Sequence, residues 1–143
     1  MQDKNPINLK VYTPPQWKGN NIVAYFQATI AGGFKQRVKI VNDERVFQEV
    51  TGETAGVNSK DFGKQFLNNK QNVSNEQHRS EYNFKVWVEH DGGSGWEQSD
   101  MKCESVKIGD KAAFGIVISD DKWPSDTDFN DCVVIIGLYE GRE

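Results

Sequence analysis

Hydrophobic and polar residues alternate along much of this chain. The clearest segment runs from residue 22 to residue 30, where every second position is apolar: Ile22, Ala24, Phe26, Ala28 and Ile30. The same period of two recurs in three later segments, which contain Val38 with Ile40, Phe84 with Val86 and Val88, and Phe114 with Ile116 and Ile118. This is the period of a strand that buries one face, so each set is predicted to be the core-facing side of a β-strand.

The remaining pattern is also that of strands. Residues 132–136 are apolar at every position, which predicts a strand at the centre of the core, and weaker strand patterns occupy residues 7–13, 45–50, 62–67 and 101–108. Turn-forming residues separate these segments. Eight or nine short strands at this spacing predict an all-β fold, an antiparallel β-sandwich. An alternative places Phe62, Phe66 and Leu67 on a short helix after Ser59, and the polar residues 68–81 are predicted to form an exposed loop.

Length and hydropathy predict one soluble domain. The chain has 143 residues and no repeat or linker that divides it, so residues 1–143 are predicted to form a single domain. No apolar run approaches the roughly 20 residues needed to cross a bilayer, so membrane insertion is not expected. Residues 1–5 lack a basic segment leading into an apolar one, so no signal peptide is predicted. We expect a cytoplasmic protein, or one exported by a route that the sequence does not reveal.

The charge is concentrated in one segment. The formal net charge is −4, which argues against nucleic acid as a partner because nucleic-acid-binding proteins usually carry a basic surface. Residues 119–131 contain five aspartates and one lysine, so this acidic segment alone has a net charge equal to that of the whole chain. Crowded carboxylates repel one another unless a cation lies among them. The acidic segment therefore predicts a bound cation, against the alternative of a solvated aspartate-rich turn.

The spacing of the acidic segment favours calcium. Calcium takes six to eight oxygen ligands from carboxylates, amides and water, and alternating Asx residues allow a turning loop to aim several oxygens at one point. An EF-hand would need glycine and glutamate where Asp131 and Gly137 stand, so that loop is excluded. Two ions would need about 12 to 16 ligand oxygens, so the segment predicts one calcium ion, or two with help from outside it. The candidate ligands are Asp120, Asp121, Asp126, Asp128, Asn130 and Asp131.

The acidic segment resembles that of the bacterial calcium-mediated lectins that bind fucose and mannose. The shared pattern is a strand ending in an acidic pair, then Asp-x-Asp-aromatic-Asn-Asp, then a small residue and a Val/Ile run. Here the strand and acidic pair are residues 116–121, the motif is residues 126–131, and the apolar run is residues 132–136. A weaker similarity extends over most of the chain.

The resemblance implies a calcium-dependent lectin that binds mannose or fucose. In that family two adjacent calcium ions lie in the loop and sugar hydroxyls coordinate them directly. Position by position, it implies that Asp126, Asp128, Asn130 and Asp131 are ligands and that Asp120 replaces the family's glutamate. It further implies that Ala31, Gly32 and Gly33 stand at the sugar-selecting loop and that Gly141 stands at the family's C-terminal glycine, which completes a neighbouring subunit's site.

The sequence also departs from the family pattern. The loop is about two residues longer, and Trp123 lies in the insertion, where it either contacts a ligand or packs against the protein. Arg142 and Glu143 follow Gly141, and Ile30 or Ala31 stands near the position of the family's asparagine ligand. These departures support an alternative function, a calcium-stabilised structural or adhesion domain without a sugar site. As a lectin with weak single sites, the chain would be expected to form a homodimer or larger homo-oligomer for avidity.

Other residue types carry less chemistry. Cys103 and Cys132 have no CxxC or Cys/His partners, which argues against zinc, and they are either two small buried side chains or a disulfide. His78 and His90 are predicted to lie at the surface. The motifs of zinc proteases and serine hydrolases are absent from the sequence, so an enzyme is not expected. Tryptophans outside the acidic segment are predicted to pack.

Overall fold

The computed structural model describes residues 5–17, 21–30, 34–42, 49–54, 63–73, 81–120 and 131–140. These residues contain ten strands: β1 Ile7–Tyr12, β2 Ile22–Ile30, β3 Lys35–Asn42, β4 Val50–Glu53, β5 Gln65–Asn72, β6 Glu81–Asp91, β7 Glu97–Gln98, β8 Asp100–Ile108, β9 Ala112–Asp120 and β10 Cys132–Glu140. No helix long and apolar enough to cross a membrane occurs in this part of the chain.

The strands form two antiparallel sheets with the core between them. In the first sheet the order is β1-β6-β3-β4, with β7 beside the end of β6. The second sheet has the order β5-β2-β10-β9-β8. The all-β sandwich predicted from the alternation is therefore confirmed.

The alternating positions of β2, β3 and β6 face the core as predicted. All ten of these side chains are at most 3% exposed: Ile22, Ala24, Phe26, Ala28, Ile30, Val38, Ile40, Phe84, Val86 and Val88. The rings of Phe26 and Phe84 meet edge to face across the two sheets, with centroids 6.0 Å apart. The burial of these ten apolar side chains contributes favourably to the free energy of folding.

The prediction for β9 is wrong by one residue. Phe114, Ile116 and Ile118 do not face the core, since the buried positions of this strand are Ala113, Gly115, Val117 and Ser119. The inward set is small because β1 packs closely on it. A Cβ atom at Gly115 would lie only 2.5 Å from the Leu9 side chain and 2.9 Å from that of Val11, so Leu9 and Val11 occupy the space that larger side chains would need.

Two further expectations are settled by the second sheet. β10 pairs with both β2 and β9, so the apolar run is a central strand as predicted, with Cys132, Val134 and Ile136 fully buried on its inner side. The segment that was ambiguous between strand and helix is a strand where the structure describes it, from Gln65. That strand continues to Asn72 and β6 begins at Glu81, so the loop predicted for residues 68–81 is wrong over 68–72 and at residue 81. The polar side chains of residues 68–72 suit the edge position of β5 in its sheet.

Candidate functional site

Two predicted ligands lie at neighbouring strand ends. β9 ends at Asp120 and β10 begins at Cys132, and Ser119 stands opposite Cys132 in the antiparallel register. The Asp131 N–H donates to the Ser119 carbonyl over 3.0 Å, and the Ser119 hydroxyl donates to the Cys132 carbonyl over 2.8 Å. These hydrogen bonds hold the two ends of the acidic segment together.

The two carboxylates at these ends are buried. Asp120 is 3% exposed and Asp131 is 4% exposed. Removing a carboxylate from water is costly unless the charge is paired, hydrogen-bonded or bound to a metal. Buried aspartates at the two ends of an aspartate-rich segment are an arrangement that a bound cation would stabilise.

The thiol next to Asp131 is that of Cys132, which is fully buried. Burial, with a smaller contribution from the Asp131 charge, raises the pKa of Cys132 to about 12. Cys132 is therefore a neutral thiol at neutral pH. Burial also raises the pKa of Cys103. Both cysteines are free, so the disulfide that the sequence left open is not formed. Calcium prefers oxygen ligands, and the carboxylates of Asp120 and Asp131 are donors of that type.

Asp100 is a neighbour of the predicted ligand Asp120 that the sequence did not reveal. It begins β8 and stands directly opposite Asp120 in the β8–β9 register. Like charges at directly opposed positions of antiparallel strands destabilise the pair. Only the strand pairing brings these two residues together, because they are 20 positions apart and no local motif links them.

Replacing Asp100 should expose this repulsion. In calcium-free buffer Asp100→Asn is expected to raise the melting temperature by about 1–2 °C, since it removes a like-charge pair worth roughly 0.5 kcal/mol. If a calcium ion lies beside Asp120, the rise should be smaller in calcium, because the ion would offset the Asp120 charge. Asp110→Asn is the matched control, because Asp110 is a surface aspartate in the turn between β8 and β9. An equal rise in both variants would contradict the repulsion.

The other predicted ligands lie outside the described residues. These are Asp121, Trp123, Asp126, Asp128 and Asn130 in the acidic segment, Ala31, Gly32 and Gly33 after β2, and Gly141 after β10. Among the residues that are described, no three histidines, cysteines or acidic residues lie close enough to hold a metal. Ile30 pairs with Cys132, so residues 31–33 follow a strand end adjacent to the start of β10, whereas Glu140 ends β10 at its opposite end.

Ile30 supplies no oxygen ligand from its side chain. That side chain is apolar and 3% exposed. Its carbonyl accepts the Gly63 N–H over 2.6 Å, and its own N–H donates to the Lys64 carbonyl over 2.9 Å. These two hydrogen bonds hold the backbone of Ile30 against the residues just before β5. Ile30 is one of the two residues that stand near the position of the asparagine ligand in the resembling lectins.

Three tryptophans pack against the protein, as predicted. The Trp17 indole N–H donates to the Asp110 carbonyl over 2.8 Å. Trp96 lies 4.3 Å from the Arg37 guanidinium carbon, and Trp87 lies 5.0 Å from the Lys39 ammonium. A cation therefore covers one face of the Trp87 ring and one face of the Trp96 ring.

His90 was predicted at the surface, and that prediction is wrong. The side chain is buried, its ring stacks on Phe34, and its Nδ1 lies 2.8 Å from the Ser99 hydroxyl. His90 lies two positions after the buried Val88, so both side chains are on the inner face of β6. His78 lies outside the described residues.

Known proteins resemble this chain in sequence profile and in fold. A family profile described as fucose-binding lectin II (PA-IIL) matches residues 15–140. A comparison with curated protein sequences finds no match. Among solved structures, the C-terminal domain of BC2L-C lectin from Burkholderia cenocepacia superposes with a TM-score of 0.64 at 20% identity, covering 95% of this chain and 99% of that domain.

Two further lectins share the fold. The Chromobacterium violaceum lectin CV2L, solved in complex with alpha-methyl-fucoside, has a TM-score of 0.60 and 20% identity. The Ralstonia solanacearum high-affinity mannose-binding lectin has a TM-score of 0.60 and 21% identity. Each comparison covers 92% of this chain and 96% of the other.

Proposed function

Since the chain belongs to the fucose-binding lectin II (PA-IIL) family, we propose that it is a calcium-dependent lectin whose calcium is held by residues 120–131. The observation that carries the proposal is that Asp120 and Asp131, near the two ends of the acidic segment, are both buried. The hydrogen bond from Asp131 to Ser119 holds these strand ends side by side. Carboxylate oxygens at the end of a rigid sheet are the donors that calcium requires. Catalysis is no part of this proposal, because the family is one of lectins.

Asp120, Asp126, Asp128, Asn130 and Asp131 would hold the ion, with Asp121 as a weaker contributor. Bound calcium supplies a Lewis-acidic centre that binds neutral hydroxyl pairs of a sugar in exchange for water. The protein's own part is to fix the carboxylates so that little ordering is required when sugar binds. The hydrogen bonds of Ser119 provide this fixation by holding the two ends of the segment together.

Mannose or fucose is the sugar class that we propose. The support is the fucose-binding description of the family and the fucoside and mannose named for two of the similar structures. Ala31, Gly32 and Gly33 would contact the sugar through their backbone, and Trp123 through its ring. One side of the bound sugar would thus lack the side-chain hydrogen bonds that a polar loop provides.

Calcium should stabilise the fold, and sugar should stabilise it further once calcium is bound. At a calcium concentration 100 times the dissociation constant, binding adds about 2.7 kcal/mol, which raises the melting temperature by about 8 °C for a chain of this length. Adding α-methyl-fucoside or α-methyl-mannoside at millimolar concentration should raise it further, and chelator should remove both effects. The readout is differential scanning fluorimetry, followed by a glycan array in calcium.

A calcium-stabilised structural domain is the second candidate function. The apolar, pinned Ile30 favours it, because one oxygen donor of the resembling lectins then lacks a side-chain counterpart. This function predicts the calcium effect alone. A rise with calcium but none with either glycoside, together with no calcium-dependent glycan on the array, would contradict the lectin proposal and support the structural one.

A further inference from the structure

Two tryptophans lie next to each other on the outer face of the first sheet. Trp87 is on the outer side of β6, directly opposite Lys39 of β3 in the register. Trp96 lies in the turn between β6 and β7, and its ring centroid is 4.3 Å from the Arg37 guanidinium carbon and 5.7 Å from the Lys35 ammonium. Arg37 and Lys39 are two residues apart on the same side of β3, a rise of roughly 7 Å. The two rings are therefore neighbours on one surface.

Part of each tryptophan remains accessible to a ligand. Trp87 and Trp96 are both partly exposed, although Lys39 covers one face of the first ring and Arg37 covers one face of the second. These cations also limit the movement of the rings. An aromatic side chain that is already ordered offers a large contact area at a low cost in conformational entropy.

The turn that carries Trp96 is held by its own hydrogen bonds. The Asp91 Oδ1 atom accepts the Gly93 N–H over 2.7 Å and the Gly95 N–H over 3.2 Å. Both glycines have a positive φ, 117° and 100°, which other residues adopt only with strain. The turn therefore presents Trp96 in one position above β3.

β4 borders the tryptophans with oxygen atoms. Thr51 is exposed and stands opposite Lys39, and Glu53 stands opposite Arg37. The side chains of Glu53 and Glu49 are half-exposed. Their oxygens can accept hydrogen bonds from hydroxyl groups, and the two cations can donate to them. We refer to the two tryptophans and these polar residues as the tryptophan face: Arg37, Lys39, Glu49, Thr51, Glu53, Trp87 and Trp96.

The charges of the tryptophan face favour a neutral ligand. Arg37 lies 2.7 Å from the buried Glu89 carboxylate and 3.9 Å from that of Glu53. Lys39 lies 3.9 Å from the Glu49 carboxylate. Two cations thus face three carboxylates, whereas attraction of a polyanion requires an excess of positive charge. Hydroxyl groups suit such a surface, because hydrogen bonds to charged groups are stronger than those between neutral groups.

We propose that the tryptophan face binds a neutral oligosaccharide of β-linked pyranoses with equatorial hydroxyls, and that it does so without calcium. Such a sugar ring points its axial C–H bonds at both of its faces, so each face is apolar and can stack on an indole. Its hydroxyls point outward from the ring edge, towards the oxygens of β4. The tryptophan face belongs to the first sheet, whereas β9 and β10, which flank the acidic segment, belong to the second.

Isothermal titration calorimetry in a buffer that contains chelator tests the binding. The probes are cellohexaose and laminarihexaose, which are neutral and have equatorial hydroxyls on every unit, and at least one of them should bind. A heparin hexasaccharide is the anionic comparison and should bind more weakly than the neutral probe. Absence of binding by both neutral probes, or tighter binding by the heparin fragment, would overturn the proposal.

NMR spectra of the parent locate the bound sugar without any substitution. The indole N–H signals of Trp87 and Trp96 should shift when the neutral hexasaccharide is added in chelator, and those of Trp17 and Trp123 should not. Trp17 is buried, with its indole N–H bonded to the Asp110 carbonyl, and Trp123 belongs to the acidic segment. Shifts confined to Trp17 or Trp123 would place the sugar elsewhere and overturn the proposal.

Substitution tests the contribution of each ring. Trp87→Ala and Trp96→Ala should each weaken hexasaccharide binding about 10-fold, the loss expected for one stacked ring, and Trp96→Phe should recover part of that loss. Tyr12→Ala is the matched control and should bind as the parent does, because Tyr12 is exposed on the outer side of the same sheet but stands opposite Glu81, at the other end of β6. Unchanged binding in both tryptophan variants, or an equal loss in Tyr12→Ala, would overturn the proposal. If Trp87→Ala does not fold, Trp96→Ala decides the matter, since Trp96 lies outside the strands.

This inference can fail or stand separately from the proposed function. The stabilisation by calcium, and the further stabilisation by α-methyl-fucoside or α-methyl-mannoside, should be the same in Trp96→Ala and the parent. Loss of hexasaccharide binding with an unchanged calcium response is the expected result for that variant. A parent that binds cellohexaose in chelator but shows no calcium response would refute the proposed function and support the tryptophan face.

Discussion

Asp128→Ala is expected to abolish calcium binding while leaving the apo fold intact. Asp128 lies in the middle of the alternating motif, between Asp126 and Asn130, so its carboxylate is the one best placed to contact every ion that the segment holds. Calcium affinity depends strongly on the number of charged ligands. Isothermal titration calorimetry at neutral pH, on protein freed of calcium, gives the measurement.

The apo form of this variant provides an internal check. Removing one of five crowded carboxylates relieves repulsion, so the calcium-free melting temperature of Asp128→Ala should be equal to that of the parent or slightly higher. Unfolding of the apo variant would mean that the side chain has a packing role instead. The two proteins should differ by the full calcium-induced shift once the ion is added.

Asp121→Ala is the control for the acidic segment. Asp121 directly follows Asp120 and precedes the insertion that contains Trp123, so its loss should weaken calcium binding only modestly. If Asp128→Ala binds calcium as the parent does, the acidic segment is not the site. If Asp121→Ala is the more damaging change, the insertion has altered the ligand set relative to the resembling lectins.

Alternation in the sequence predicted the fold because the sheets of a sandwich bury one face each. It failed in β9 because apolar residues occupy both faces there, and a period of two does not say which set points inward. The decision depends on β1, whose Leu9 and Val11 require a small residue at position 115. That packing partner is about 100 positions away in the sequence, beyond the reach of any local pattern.

The candidate site was predictable only in part for the same reason. The local motif identified the acidic segment, and the structure adds that Asp120 and Asp131 are buried at adjoining strand ends. The neighbour of Asp120 across the strand pair, Asp100, is known only from the register of β8 with β9. Contacts between strands that are far apart in the sequence leave no local pattern. The ion pair between Arg37 and Glu89, which are 52 positions apart, is a second contact of this kind.

Arg37→Ala is expected to destabilise the protein by about 3 kcal/mol. Glu89 is 2% exposed, and the Arg37 Nε atom lies 2.7 Å from its Oε1 atom. Arg37 also covers the Trp96 ring at 4.3 Å, which shields the ion pair from water. Removing one partner of a buried pair leaves an uncompensated charge and typically costs 3–5 kcal/mol, and the low end applies because the Arg37 side chain is 21% exposed.

Lys39→Ala is the matched control for this prediction, since Lys39 lies on the same side of β3 and contacts the Trp87 ring at 5.0 Å. Its acidic partner Glu49 has a half-exposed side chain and lies 3.9 Å away, so the loss should be below about 1 kcal/mol. Urea unfolding at neutral pH measures both variants, and a double variant with Glu89→Gln should recover part of the Arg37→Ala loss because the buried charge is then gone. If Arg37→Ala and Lys39→Ala lose the same amount, the cost comes from the lost ring contact and not from the stranded Glu89 carboxylate.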